Sequence, residues 1–440
     1  MKKVIEYIVY FLIGEQNKSL AEYIYYGIDK EKKHSVLIEK SDFFNKDIYM
    51  TLKSVPQLPL KEINGIPILF GEPRITKENG QIIIHADLIA STFFLISRYE
   101  ECVRRDVRDE HGRFIGKESL PYKAGFLNRP IVEEYGALLR QCLRDAGLDV
   151  KEPQPGFSHI YLTHDVDQIW TWNNYYRALR TVIKRIIKNE RNKLQPVKAV
   201  YDFKKYDPAY TFPEIVKIED NFKKTCEVCS SVYFIMGCTK KTAYDLNYIL
   251  NKERTEQLLS FLKLSGAEIG VHTSYQAAQQ MNEFSDEIKR IENIGKVKIT
   301  KSRNHFLASR EPEDFRYYID AGIKDDYTMG YADVAGFRIG TCRPVRWIDP
   351  ITRELTSLTL HPMTTMECTL DTPKYMGISD ENKAFTTVTD LVDRIYRYYG
   401  EITLLWHNDS LNRNRKDYRY SLYIKTLRYI SNLLLCKTEK

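Results

Sequence analysis

Four short segments of this 440-residue chain set carboxylates and imidazoles where a metal-activated water needs them. They are Thr163-His164-Asp165-Val166-Asp167, His272-Thr273-Ser274, Ser302-Arg303-Asn304-His305 and His407-Asn408-Asp409. A divalent ion that keeps a water needs about three nitrogen or oxygen ligands from the protein. It acidifies that water into a nucleophile near neutral pH. A neighbouring carboxylate then takes up a proton, and a histidine on the opposite side protonates the leaving group. The four segments hold all these parts.

Each segment closes a run with strand character. Residues 160–163, 231–236, 268–271, 297–300, 358–360 and 402–406 read as strands, and helical spacing marks 252–264, 312–321 and 382–398. Strands alternating with helices predict a parallel sheet with crossovers, open or closed into a barrel. Chemistry in such folds gathers where strands end. Upstream, residues 82–87 read as a strand running into a buried apolar helix that extends to 99, and 130–146 as a second helix. The stretch Glu152-Pro153-Gln154-Pro155-Gly156 then breaks the chain and marks a domain boundary. The expected organisation is a smaller α/β domain over residues 1–150 and the site-bearing domain over 157–440. No internal repeat or low-complexity tract occurs.

The first segment resembles the opening motif of the polysaccharide deacetylase (NodB-homology) family, in which a Thr-Phe-Asp-Asp type segment supplies a base and a metal ligand. By that resemblance Asp165 is the catalytic base and Asp167 a metal ligand. His272-Thr273-Ser274-Tyr275-Gln276 is similar to the family's His-Ser/Thr-x-x-His motif, with His272 as a ligand. Leu404-Leu405-Trp406-His407 is similar to the last motif and makes His407 the catalytic acid. The resemblance covers about residues 157–435. It implies a distorted (β/α) barrel of about seven strands, a divalent metal, most readily Zn2+, and an acetylated sugar or polysaccharide precursor as substrate.

Gln276 departs from the motif, because a neutral amide is a poor zinc ligand beside imidazole or carboxylate. His305 is the candidate replacement. The segment Arg303-Asn304-His305-Phe306-Leu307 is also similar to one in Bacteroidetes-type members of the family that carry an extra N-terminal domain. Arg303 is read as the partner of Asp165, an opposite charge that favours the carboxylate form. Thr273, Arg343 and Trp347 are candidate substrate contacts. Asp325 or Asp326 is a candidate to orient His407. His164 and His361 are read as hydrogen-bonded structural residues. Two further readings of the same residues are a small-amide hydrolase of allantoinase type and a carbohydrate-binding domain without catalysis.

Bulk properties exclude several classes. The net charge of +7 is mild for this length, and no nucleic-acid reader motif is present. The opening run Met1 to Gly14 carries Glu6 and is followed by no small-residue cleavage site, so it reads as a first strand and the expected location is the cytoplasm. Eight scattered cysteines read as free thiols, and Cys226 and Cys229 lack the second pair that a structural zinc site needs. Residues 174–191 form a basic amphipathic helix with Leu179, Val182, Ile183, Ile186 and Ile187 at helical spacing. A membrane-surface helix has this pattern. The reading preferred on sequence is a helix packed on its own domain with its charged face in solvent.

Overall fold

The computed structural model describes residues 1–29, 31, 34–172, 174–239, 242–245 and 252–438. The chain is mixed α/β and divides into two units. Met1–His159, Phe306–Gly377 and Asp390–Thr403 make the first; Ile160–His305, Ile378–Thr389 and Leu404–Lys440 make the second.

In the first unit the expected opening strand is instead a helix, Lys2–Ile13. Val4, Ile8 and Leu12 recur every four residues and are buried, so the run has a helical period that its β-branched content obscured. Gly14, at φ 85°, ends it. The helix crosses Ile131–Asp145 at Gly136, where a Cβ would lie 2.5 Å from the Leu12 carbonyl oxygen. A four-stranded sheet follows in the order Ile24–Gly27, Val36–Glu39, Gln81–Ala86, Gly71–Glu78, the last pairing antiparallel. The helix read as reaching residue 99 stops at Ile96, and Arg98 turns the chain at φ 60°. Glu101 lies buried between two guanidiniums, 2.5 Å from Arg98 and 2.8 Å from Arg338. Burial would raise its carboxyl, but Arg338 and Arg98 outweigh it and hold Glu101 at about 2.

Asp325–Met329 pairs in parallel with Glu354–Pro362, which pairs antiparallel with Val345–Asp349. His361 sits here as the structural residue expected. Its Nδ1 is 2.8 Å from Glu401 and its Nε2 3.2 Å from Asp325, and the ring stacks on Tyr327. Asp326 accepts from the Thr328 amide and hydroxyl.

The chemistry of the second unit is carried by β1 (Phe157–Val166, in this unit from Ile160), β2 (Cys229–Ile235), β3 (Glu268–Thr273), β4 (Lys301–Asn304) and the end of β5 (Gly400–Leu405, in this unit from Leu404). They run in the order β4-β3-β2-β1-β5, and β1 to β4 pair in parallel. The near-continuous burial at their C-terminal ends is that of a sheet covered on both faces. The strand expected at 297–300 forms four residues later. Ser302, Arg303 and Asn304, rather than the alternating Val297 and Ile299, pair with Val271, His272 and Thr273. Arg303 is thus a strand residue and His305 the first beyond the strand.

His164 anchors the core of this unit, as expected. Its Nδ1 donates to the Trp406 carbonyl at 2.8 Å, and its Nε2 is 2.6 Å from Glu219, which also accepts from Tyr233 and Tyr423. The seven cysteines among the described side chains are free thiols. The basic helix, Tyr175–Ile187, packs on its own unit through Ala178, against Trp172 and Ala199, with Val182 also buried, and its charged face is in solvent; the correction is that most of the apolar face, Leu179, Ile183, Ile186 and Ile187, is exposed too. No helix among the described residues is long and apolar enough to cross a membrane.

Candidate metal centre

β1 ends with alternating side chains. His164 turns into the core with Glu219, so Asp165, one residue on, faces the other way, and Asp167 lies just past the strand end. The parallel register sets Arg303 beside His272 and brings β3 and β4 to end together. From these ends Asp167, His272 and His305 offer one ligand atom each, all within 4.8 Å of one another.

The two histidines are held in the same way. His272 places Nδ1 3.0 Å from the Arg303 carbonyl oxygen. A carbonyl only accepts, so Nδ1 carries the proton and the Nε2 lone pair is left toward Asp167, 3.1 Å away. His305 places Nδ1 3.0 Å from Asp245 and Nε2 3.6 Å from Asp167. Both rings therefore direct Nε2 to one carboxylate oxygen, Oδ1 of Asp167. Anchored Nδ1 atoms are the outer-sphere arrangement that metal-binding histidines use.

Asp167 Oδ2 faces a different histidine. His407 Nε2 is 3.7 Å from it, on a residue that keeps some exposure. Asp165 is buried; its Oδ1 accepts from Arg303 Nη1 at 3.1 Å and its Oδ2 is 3.6 Å from His272 Nε2. Arg303 Nη1 also donates to the Thr163 hydroxyl at 2.7 Å, and the guanidinium lies over Phe234. Arg303 has no exposed surface, so Asp165, Thr163 and Phe234 fix it rather than solvent.

Charge balance follows from burial. Burial would raise Asp167, but His305, by its charge and its contact, holds the carboxyl well below the usual range. Burial would lower His305, but Asp167 and Asp245 raise it to about 9. A carboxylate with two imidazoles, both rings pre-oriented, is a donor set that fits a divalent ion of zinc type.

The structure thus brings Asp165, Asp167, His272, Arg303, His305 and His407 together. The side chains expected to contact substrate are engaged in their own surroundings. Thr273 alternates to the other face of β3 from His272 and is fully buried. Trp347 belongs to the first unit and has no exposed surface, its ring packed edge-on against Phe315. Arg343 is in the same unit, spent on Glu133 at 3.0 Å, on the Phe11 carbonyl and on the Phe11 ring. These three expectations are corrected: an aromatic and an arginine near a glycine turn suit a sugar face, but here both complete a core.

Sequence reasoning missed Asp245. It is buried, accepts from the Tyr275 amide at 2.8 Å and holds His305. It lies in the connection after β2, well past the strand's end, where no motif marks it. Glu287 is a second support, accepting from the Ser274 amide at 3.1 Å, with burial pushing its carboxyl up to about 7.

A model of a family of unknown function (DUF7033) matches residues 4–147. No curated protein matches the sequence. Among solved structures, the chain is similar to a putative polysaccharide deacetylase from Mycobacterium smegmatis at 13% identity and a TM-score of 0.40, covering 64% of this chain and 89% of that one. It is also similar to a mutant of a CE4-family pseudoenzyme with restored enzymatic activity, at 12% identity and a TM-score of 0.31, covering 66% of each chain.

Proposed function

We propose that this chain is a metal-dependent hydrolase that removes an acetyl group from an N- or O-acetylated sugar, in the metabolism of a surface polysaccharide. One observation carries the reading. Asp167, His272 and His305 form a pre-oriented ligand set, with His305 standing in for the histidine that Gln276 replaces. A divalent ion held there supplies an acidified water and polarises the acetyl carbonyl.

The remaining roles belong to this chain's own groups. Arg303 occupies one oxygen of Asp165 and leaves the other toward the ligand set, so Asp165 is oriented to take a proton. His407 meets the opposite oxygen of Asp167 from the one the ligand histidines approach. That side suits a group that returns a proton to the leaving nitrogen or oxygen. Arg303 is a positioning residue. The sugar substrate rests on the motif resemblance. The family match over 4–147 falls within the expected accessory domain 1–150, but the expected domain 157–440 does not form one unit: Phe306–Gly377 and Asp390–Thr403 group with Met1–His159, and the deacetylase-like assignment rests on Ile160–His305, Ile378–Thr389 and Leu404–Lys440.

The test is acetate release from a panel of N- and O-acetylated sugars, with small cyclic amides alongside, by zinc-loaded protein. Release that requires metal and is lost in Asp165→Asn is expected. Sugar binding with no acetate release by the metal-loaded protein would overturn the reading in favour of binding without catalysis.

A further inference from the structure

The helix Tyr175–Ile187 presents three distinct strips. At about 100° per residue, Ala178, Val182 and Arg185 share one edge. That edge is the packed one: Ala178 is buried with Trp172 and Ala199, and Arg185 lies over the Trp172 ring at 5.2 Å. Tyr175, Tyr176, Leu179, Ile183, Ile186 and Ile187 fall on the next strip, roughly 120° wide, which is wider than a single chance contact row. All six are exposed, Tyr176 and Ile187 each to 78%. Arg177, Arg180, Lys184 and Lys188 make the third strip, beside the apolar one.

The charge is one-sided. Residues 174–201 hold eight Lys and Arg against a single carboxylate, Glu190. Beyond the helix the excess continues into a cleft of about 690 Å³, where Arg191, Lys193, Lys198 and Lys205 face one carboxylate, Glu190, which is 3.7 Å from Arg185. Leu194 and Tyr201 are exposed beside it, at 60% and 77%.

We propose that this helix and the cleft beside it are a membrane-docking surface for anionic lipid. The apolar strip is convex and continuous, the shape of a helix lying in the plane of the lipid headgroups, with its cations reaching the phosphates. The tyrosines at its start sit where amphipathic rings favour the interface. A second copy of the chain fits less well, because its basic strip would meet this one. The cleft takes the phosphate of a lipid headgroup. The surface is built from residues outside the ligand set, so it stands independently of the catalytic reading.

The test is co-sedimentation of the full chain with vesicles of phosphatidylcholine alone and of phosphatidylcholine with 30% phosphatidylglycerol. Binding to the anionic vesicles only, weakened by salt, is expected. Ile183→Glu with Ile187→Glu should lower the partition at least about tenfold, and each of Lys184→Glu and Lys188→Glu about fivefold or more. All four positions are exposed, so the variants should keep the wild-type circular dichroism and Tm. The proposal is overturned by absence of binding to anionic vesicles, or by equal binding of the variants. It is equally overturned if the wild type is a dimer by light scattering and Ile183→Glu with Ile187→Glu makes it monomeric, since a second copy then covers the strip. Binding to an acidic protein in place of vesicles would overturn it as well.

Discussion

Asp245 holds His305 by the ring nitrogen that faces away from Asp167, with Nδ1 and Oδ1 3.0 Å apart. The contact fixes both the tautomer and the plane of the ring, and so the direction of Nε2. Removing such an outer partner weakens metal binding about 10- to 100-fold in comparable sites. Asp245→Ala is therefore expected to lower zinc affinity by that factor in competition with a chromophoric chelator. Unchanged affinity would show that His305 is not a ligand, or is held by something else.

The ligand and base roles of the two β1 aspartates separate in one experiment. Asp167→Ala removes the carboxylate on which both histidines converge, so elemental analysis should find less than one zinc per chain after reconstitution. His305→Ala should behave likewise. Asp165→Asn keeps the ligand set, so it should retain zinc while acetate release falls about 10²- to 10⁴-fold, the range for loss of a general base. Full zinc in Asp167→Ala would remove the proposed centre.

The convergence at this centre was legible because a parallel sheet collects its strand ends on one side. Asp165, Asp167, His272, Arg303, His305 and His407 follow from that rule and from short motifs alone. Asp245 carries no motif and sits in a connection, where sequence spacing says little about what a side chain reaches. Burial is where local reading failed. Trp347 and Arg343 have the composition of a sugar-facing pair, and only packing with Phe315, Phe11 and Glu133 shows otherwise. Ile183 and Ile187 failed in the opposite sense, since an apolar stripe predicts a buried face and theirs is exposed. The period of Lys2–Ile13 was present in the sequence, but its β-branched composition argued for a strand.

Arg303 and Asp165 are both almost wholly buried, so each compensates the other's charge. Arg303→Met leaves the Asp165 carboxylate without its cation and the Thr163 hydroxyl without a donor. Breaking a buried pair from one side costs about 3–5 kcal/mol. Urea unfolding should show a loss of that size, and Arg303→Met with Asp165→Leu should recover part of it, because the stranded charge is gone. A loss below about 1 kcal/mol in the single variant would mean that water reaches Asp165.

The first unit should have a stability maximum set by two buried groups of opposite sign. His361 is raised from 6.5 to about 9, with Glu401 and Asp325 outweighing the effect of burial. Its folded state binds the proton more tightly, so its contribution is complete below 6.5 and disappears as pH rises through about 9. Glu101 is lowered from 4.5 to about 2, so its contribution is complete above 4.5 and disappears as pH falls through about 2. Both are fully present together only between about pH 4.5 and 6.5, and the alkaline loss should be on the order of 3 kcal/mol. Thermal unfolding across this range should peak in that window. His361→Gln should flatten the alkaline limb and leave the acid limb in place. His305, also raised to about 9, titrates in the same range, so part of the alkaline limb should remain in His361→Gln; a limb of unchanged size would show that His361 contributes nothing to it.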